Sequence, residues 1–206
     1  MGARGGGAPT PQGTREKLAA FAERLSRQRH LIAVRDGVVA SLPLVLIGSA
    51  FLLLAQPPIP GLRELVAPWS ERLLLPYRVL GGAIGLYVCF AIAKRLARSH
   101  GMDETGAPLI ALASFLVAQA PEPLAAGGLG LSLGALGPGG LFGAIALGLG
   151  SVEIQRLVAS RGWVLRLPPS VPEAIGKSFE AILPGLASVT LAWAAVHLFG
   201  LDLVGL

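Results

Sequence analysis

Apolar residues gather in five blocks, residues 37–55, 78–93, 107–120, 141–158 and 181–204, and nearly all the charge lies between them. A helix needs ~20 mostly apolar residues to cross a ~30 Å hydrocarbon core. The first block, with 19 residues, meets that length. Pro43 removes one internal hydrogen bond from it and predicts a kink. Pro57, Pro58, Pro60 and Gly61 end it. Residues 62–75 then read as a short interfacial segment with Trp69 as a headgroup anchor. Gly81 and Gly85 form a small-xxx-small pair in the second block, and Gly143, Gly148 and Gly150 recur in the fourth, so both blocks are expected to pack closely on other helices. The third block would reach only about 21 Å as a helix, so it is either a short span or a re-entrant piece. Pro172 suits a helix start, and the helix it opens leads into the fifth block. The pattern predicts an all-α integral membrane protein of about five transmembrane helices.

Ahead of the first block the pattern changes twice. Residues 1–13 are rich in Gly and Pro without apolar periodicity and are expected to be a disordered tail. They do not read as a secretory signal, because apolar sequence begins only near residue 37. In residues 14–36, Leu18, Phe21, Ala22 and Leu25 follow helical spacing, and Glu23 and Arg27 pair on the other face. This predicts a cytoplasmic amphipathic helix and a junction. It would lie either on the membrane surface or against the protein's own cytoplasmic face. The membrane domain then occupies residues 37–206.

Charge placement orients the blocks. Arg15, Lys17, Arg24, Arg27, Arg29 and Arg35 precede the first; Lys94, Arg95 and Arg98 follow the second; Arg161, Arg166 and Lys177 follow the fourth, with Arg156 at its end. The intervening segments hold Arg63, Arg72 and Arg78, two of them beside Glu64 and Glu71, and residues 122–140 hold no basic residue. Cytoplasmic loops carry the excess of Lys and Arg. Five crossings therefore put the N-terminus in the cytoplasm; a re-entrant third block would invert the bias. The composition agrees: 14% of residues are charged and 53% hydrophobic, against about 25% charged in soluble domains. A net charge of +5 points to topology rather than nucleic acid, since no basic patch is interleaved with aromatics. The single Cys89 excludes an internal disulfide and reads as a small buried residue.

Four polar residues stand out as gating or structural candidates. Arg35 and Asp36 mark the mouth of the first block. They read either as a hinge contact or as a snorkelling arginine with a local carboxylate. Glu153 lies inside the fourth block, where an acid is a functional hypothesis by default, yet Arg156 three residues on offers a structural ion pair. His30, His100 and His197 are far apart in sequence and are not expected to form a metal set. No phosphate-loop lysine motif, H-E-x-x-H or G-x-S-x-G is present, so no catalytic residue is assigned.

An ordered set of short pieces adds a resemblance. They include His30-Leu31 with Ala33-Val34-Arg35-Asp36-Gly37, Pro43-Leu44 with Ile47-Gly48-Ser49, and Pro58-Ile59-Pro60-Gly61. Gly85-Leu86-Tyr87-Val88, Leu112-Ala113-Ser114-Phe115-Leu116, Gly140-Leu141-Phe142, Ser151-Val152-Glu153-Ile154 and Leu183-Pro184-Gly185 follow. Together they resemble the first half of the enzyme IIC permease of bacterial phosphotransferase-system sugar transporters, lactose/cellobiose/diacetylchitobiose type. The resemblance implies uptake of a sugar, expected to be a β-linked disaccharide, in a multi-pass protein of the bacterial inner membrane. It implies IIB and IIA subunits as partners, surrounding lipid, a homodimer formed through this half, and no cofactor. The family's sugar-binding His and Glu belong to the second half, so no substrate-binding residue is expected in this segment. A gene fragment, one part of a split permease and an incomplete reading frame all stay open. Two other functions also remain: a non-transporting membrane interaction module, and an unrelated small-molecule transporter.

Overall fold

The computed structural model describes residues 28–120, 122–123, 127–165, 168, 172–198 and 200. The expected tail and most of the amphipathic helix, together with Arg166 and the end of the fifth block, lie outside the described residues. Helix α1 is Arg29–Ala55, which runs unbroken through Pro43. Two short pieces follow: α2, Pro60–Val66, and a 3₁₀ turn over Ala67–Trp69. Helix α3 is Ser70–Gly82, α4 Ile84–Ser99 and α5 Gly106–Ala118. A two-residue-per-strand hairpin pairs β1, Glu122–Pro123, with β2, Leu129–Gly130, in antiparallel register. Then come α6, Leu133–Leu136, a 3₁₀ turn over Pro138–Gly140, and α7, Leu141–Ser160. Helices α8, Glu173–Glu180, and α9, Ile182–His197, complete the described chain.

Helix α4 is the hub. It packs on α1, α5 and α7, while α9 packs on α5 and α7. The reason is visible in its sequence: Gly85, Val88, Cys89, Ile92, Ala93, Leu96 and Ala97 are buried. That is the i, i+3, i+4, i+7 stripe of a helix with a wide packed face. Helix α1 shows the opposite distribution. Its buried positions are Ala33, Gly37, Ser41, Gly48 and Ala55, a thin line of small residues, while Val39, Leu42, Leu46 and Leu53 stay exposed. A helix apolar all round with only a narrow packed seam has its remaining surface suited to lipid.

Among the described residues three helical stretches, Arg29–Ala55, Pro138–Ser160 and Ile175–His197, are long and apolar enough to cross a membrane. Pro60–Gly82 and Ile84–Ser99 make a fourth if taken as one span bent by 40°. The predicted second block thus straddles a break at Ala83. Gly81 and Gly85 fall on different helices, and beyond the local helix backbone nothing lies within 4 Å of where a Gly81 Cβ would sit. The interfacial segment over residues 62–75 is helical and continuous with that bent pair. Helix α5 has 13 residues, about 20 Å, and its face of Ala107, Ala111, Ser114, Phe115 and Ala118 is buried.

Close approach is what the small residues supply. A Cβ on Gly37 would lie 2.8 Å from the Ile92 backbone nitrogen, and one on Gly148 would lie 3.0 Å from the Cys89 carbonyl oxygen. We expect Gly37→Ala to destabilise the chain in mild detergent by about 1–3 kcal/mol, the usual cost of overpacking. Gly81→Ala, in open space, should be neutral or slightly stabilising because alanine is the better helix former. Thermal unfolding of both variants checks this; equal melting temperatures would remove the α1–α4 seam from the account.

Candidate functional site

Two helix ends meet where α1 begins. Helix α4 closes with Gly101 at φ +67. The Gly101 N–H bonds to the Arg98 carbonyl at 3.1 Å and the Met102 N–H to Ala97 at 3.0 Å. Helix α7 closes the same way: Gly162 at φ +77 bonds to Ala159 at 3.0 Å, and Trp163 to Val158 at 3.3 Å. Left-handed glycines at this position satisfy orphan carbonyls and turn the chain sharply. One motif fixes His100 at the rim of the bundle; the other stops α7 two turns beyond Glu153. Asp103 then starts α5, its two carboxylate oxygens accepting from the N–H groups of Thr105 and Gly106 at 3.0 and 2.9 Å.

The Glu153 carboxylate collects donors from three helices. His30 Nε2 on α1 lies 3.0 Å from Oε1, and His100 Nε2, at the end of α4, lies 2.8 Å from the same oxygen. Arg156 donates to Oε2 at 3.1 Å. The Arg29 guanidinium sits 3.4 Å from His100 Nδ1. Arginine has only donors to offer and a carboxylate only acceptors, so in these two contacts Nδ1 is the accepting nitrogen and Nε2 the donating one. His100 is held here with its side chain only 5% exposed.

A second acid works alongside. Asp36 accepts from Arg35 Nε at 2.9 Å through Oδ1 and from Arg95 Nε at 2.8 Å through Oδ2. The local partner expected for Asp36 is therefore present, and Arg95 of α4 adds a link between helices. Likewise the expected Glu153–Arg156 pair is present, but it is one contact of several. His30 and His100 lie 123 and 53 positions from Glu153 in the chain, so local spacing does not pair them with it. The signal available was topological: the start of the first block, the end of the second and the end of the fourth lie at one end of an alternating bundle. His197 is elsewhere, stacked on Trp193 with ring centroids 5.4 Å apart.

Deeper in the bundle lies a polar chain with no sequence motif. Ser188 of α9 touches Ser151 of α7 at 2.6 Å and Ser114 of α5 at 3.1 Å, oxygen to oxygen. Gln155 donates to Ser151 Oγ at 3.1 Å and to the Ala107 carbonyl at 3.2 Å. All four side chains are buried. Such hydroxyl contacts join apolar helices, at roughly 0.6 kcal/mol each in membrane bundles. Among the described residues no group of three His, Cys, Asp or Glu side chains is arranged to hold a metal ion. Cys89 is fully buried beside the Ala111 carbonyl. The described polar groups act electrostatically and by position: carboxylates join helix ends at one face, and hydroxyls pair helices inside.

The profile of the family described as "Phosphotransferase system, EIIC" matches residues 35–201. The chain belongs to this EIIC family. It is 42% identical over 196 residues to the lichenan permease IIC component of Bacillus subtilis (strain 168), an alignment covering 87% of this chain and 43% of that protein. It is 36% identical over 195 residues to the cellobiose-specific EIIC component of Geobacillus stearothermophilus, covering 87% and 43%. Among solved structures it is similar to the transporter ChbC, the IIC component of the N,N'-diacetylchitobiose-specific phosphotransferase system. There the TM-score is 0.81 at 29% identity, over 93% of this chain and 48% of that one. The sequence therefore spans less than half the length of these EIIC relatives. Family membership sets aside the unrelated small-molecule transporter.

For this EIIC chain the Glu153 cluster predicts a stability defect that separates it from surface ion pairs. Glu153→Leu leaves the buried His100 Nε2–H without its acceptor, at a cost of about 1–3 kcal/mol. Glu71→Gln breaks only the exposed Arg78 contact and should change stability by under ~0.5 kcal/mol. Detergent unfolding of the two variants gives the comparison; equal losses would mean that Glu153 clamps nothing.

Proposed function

We propose that this chain supplies the helical scaffold half of a phosphotransferase-system sugar permease for β-linked disaccharides. The observation that carries the reading is the ChbC-like bundle over nearly the whole chain, together with its likeness to permeases named for lichenan and cellobiose. In this reading the membrane domain begins near residue 37, after a tail over residues 1–13 and a cytoplasmic amphipathic helix and junction over residues 14–36. It crosses the bacterial membrane five times, with the short α5 as the third crossing. The translocated sugar sits in the remainder of the permease, and IIB and IIA subunits provide phosphoryl transfer.

Orientation follows from charge. Arg29, Arg35, Lys94, Arg95, Arg98, Arg156 and Arg161 gather at the end that holds Glu153, which supports a cytoplasmic N-terminus. Arg35, Asp36, Glu153 and Arg156 then act as a cytoplasmic clamp, keeping α1, α4 and α7 in register while the sugar-carrying part moves. A homodimer is part of the same proposal. Gly85 and Gly148 serve contacts within the chain: a Cβ on Gly85 would lie 2.6 Å from the Leu136 carbonyl oxygen, and one on Gly148 would lie 3.0 Å from the Cys89 carbonyl oxygen. The dimer would instead use the exposed apolar surface of the bundle.

Two measurements test the reading. In a Cys89→Ala background, single cysteines in residues 125–132 should react with an impermeant maleimide on intact cells. A cysteine at Ser160 should react only after permeabilisation; the reverse pattern overturns the topology. Co-expression with the second half of the lichenan permease, in cells lacking that permease, should restore phosphoenolpyruvate-dependent cellobiose phosphorylation in membrane vesicles. Neither half alone should do so. Two halves that co-purify yet transport nothing would sink the scaffold assignment.

A further inference from the structure

The end of α7 and the outer side of α9 form an open groove of about 620 Å³. Val158 and Trp163 wall one side, and Leu183, Leu186 and Leu191 the other. On α9 the lining positions recur at i, i+3, i+4, i+7 and i+8 from Leu183, through Ala187 and Thr190, to Leu191. They make a stripe about 12 Å long. The Thr190 hydroxyl on it can return a hydrogen bond to its own helix. Pro184, Gly185, Ser188 and Ala192 are the buried positions of α9, so the stripe turns out of the bundle. Leu186 is 62% and Trp163 63% exposed. For an EIIC protein, integral to the membrane, the bilayer is what such a face meets unless another protein covers it.

The mouth of the groove says which lipid suits it. Gly162 turns the chain as α7 ends, and beyond its chain neighbours nothing lies within 4 Å of where its Cβ would sit. Arg161 precedes it, three residues past Val158 and on the same helical face. Arg161 is exposed and belongs to no ion pair among the described residues, whereas Arg156 pairs with Glu153. Trp163 adds an indole N–H donor and a ring of the kind that settles at headgroup level. A cation and an indole at one end of an apolar stripe match a phosphate at the head of an acyl chain. Glu180, the acid that closes α8, lines a different recess with Asp103 and Lys177.

We propose that this groove binds one anionic phospholipid, its acyl chain along Leu183, Leu186 and Leu191 and its phosphate at Arg161. The site goes beyond the permease reading and requires only that the chain sit in a bilayer. Charge favours a lipid over a protein helix as the occupant, because an apolar helix laid along the stripe gives Arg161 no counter-ion.

Native mass spectrometry of the full chain tests it, with equimolar phosphatidylglycerol and phosphatidylcholine of identical acyl chains added in mild detergent. Wild type should retain one lipid and favour phosphatidylglycerol by about fivefold, the effect of one basic residue close to anionic headgroups. Arg161→Gln should bring the two lipids near parity, and Arg161→Lys should keep most of the preference. Arg63→Gln alters an exposed arginine of α2 that is also outside every ion pair among the described residues, and it should leave the preference intact. Ala187→Phe fills the groove and should lose the lipid of either kind; if it fails to fold, the surface Arg161 variants decide. Equal retention of both lipids by wild type, a preference that survives Arg161→Gln, or one lost equally in Arg63→Gln overturns the inference. So does loss of the lipid on co-purification with the second half of the lichenan permease, which makes the groove the seat of that half. A wild-type dimer that Ala187→Phe converts to a monomer with unchanged lipid retention also overturns it, since the groove is then a contact between copies.

Discussion

The near-contact of backbones along the α1–α4 seam is the constraint on which the rest of the bundle depends. Lipid tails are as apolar as leucine, so helices in a bilayer gain little by hiding apolar surface from one another. They gain by dispersion, which falls off steeply once surfaces separate. Gly37 over Ile92 and Gly148 over Cys89 permit that closeness because no Cβ stands between the backbones. With α4 seated against both neighbours, its C-terminal turn delivers His100 to Glu153 and Arg95 to Asp36. The polar clamp is a consequence of the apolar seam.

The polar contacts divide by depth. At the rim, carboxylates gather imidazole and guanidinium groups from separate helices, in a setting where water still reaches Arg35 and Arg156. Inside, neutral groups do the joining: three serines and one glutamine connect α5, α7 and α9. Hydroxyls suit the interior because each both donates and accepts, so a chain of them closes on a backbone carbonyl and leaves no charge to desolvate. The short α5 is held through this chain and through Phe115 rather than by length.

Much of this could be read in advance, and the parts that could not share a cause. Blocks of apolar sequence gave the long helices, because periodicity and length are local properties. The Arg35–Asp36 and Glu153–Arg156 pairs were legible for the same reason, their members being one and three residues apart. The ordered pieces from His30 to Gly185 made the family legible as a whole. The break at Ala83 was not, since the sequence from Val79 through Cys89 stays free of charge across it. His30, His100 and Glu153 belong together only once three helix ends are superposed. Ser114, Ser151 and Ser188 look like any serines until their helices are packed.

Helix α5 has a consequence for electric fields. It spans about 20 Å, half the roughly 40 Å length of α1, with a polar group at each end: Gln155 against Ala107 at one, Gln119 at the other. In a membrane the potential drop concentrates where the low-dielectric barrier is thinnest, and each elementary charge crossing 100 mV is worth about 2.3 kcal/mol. With α5 as the proposed third crossing and water at both of its ends, the same voltage would fall over a shorter path there than in the surrounding lipid. A dipole or ion beside this helix would then experience a steeper gradient than beside α1, so the membrane potential would act unevenly across the protein.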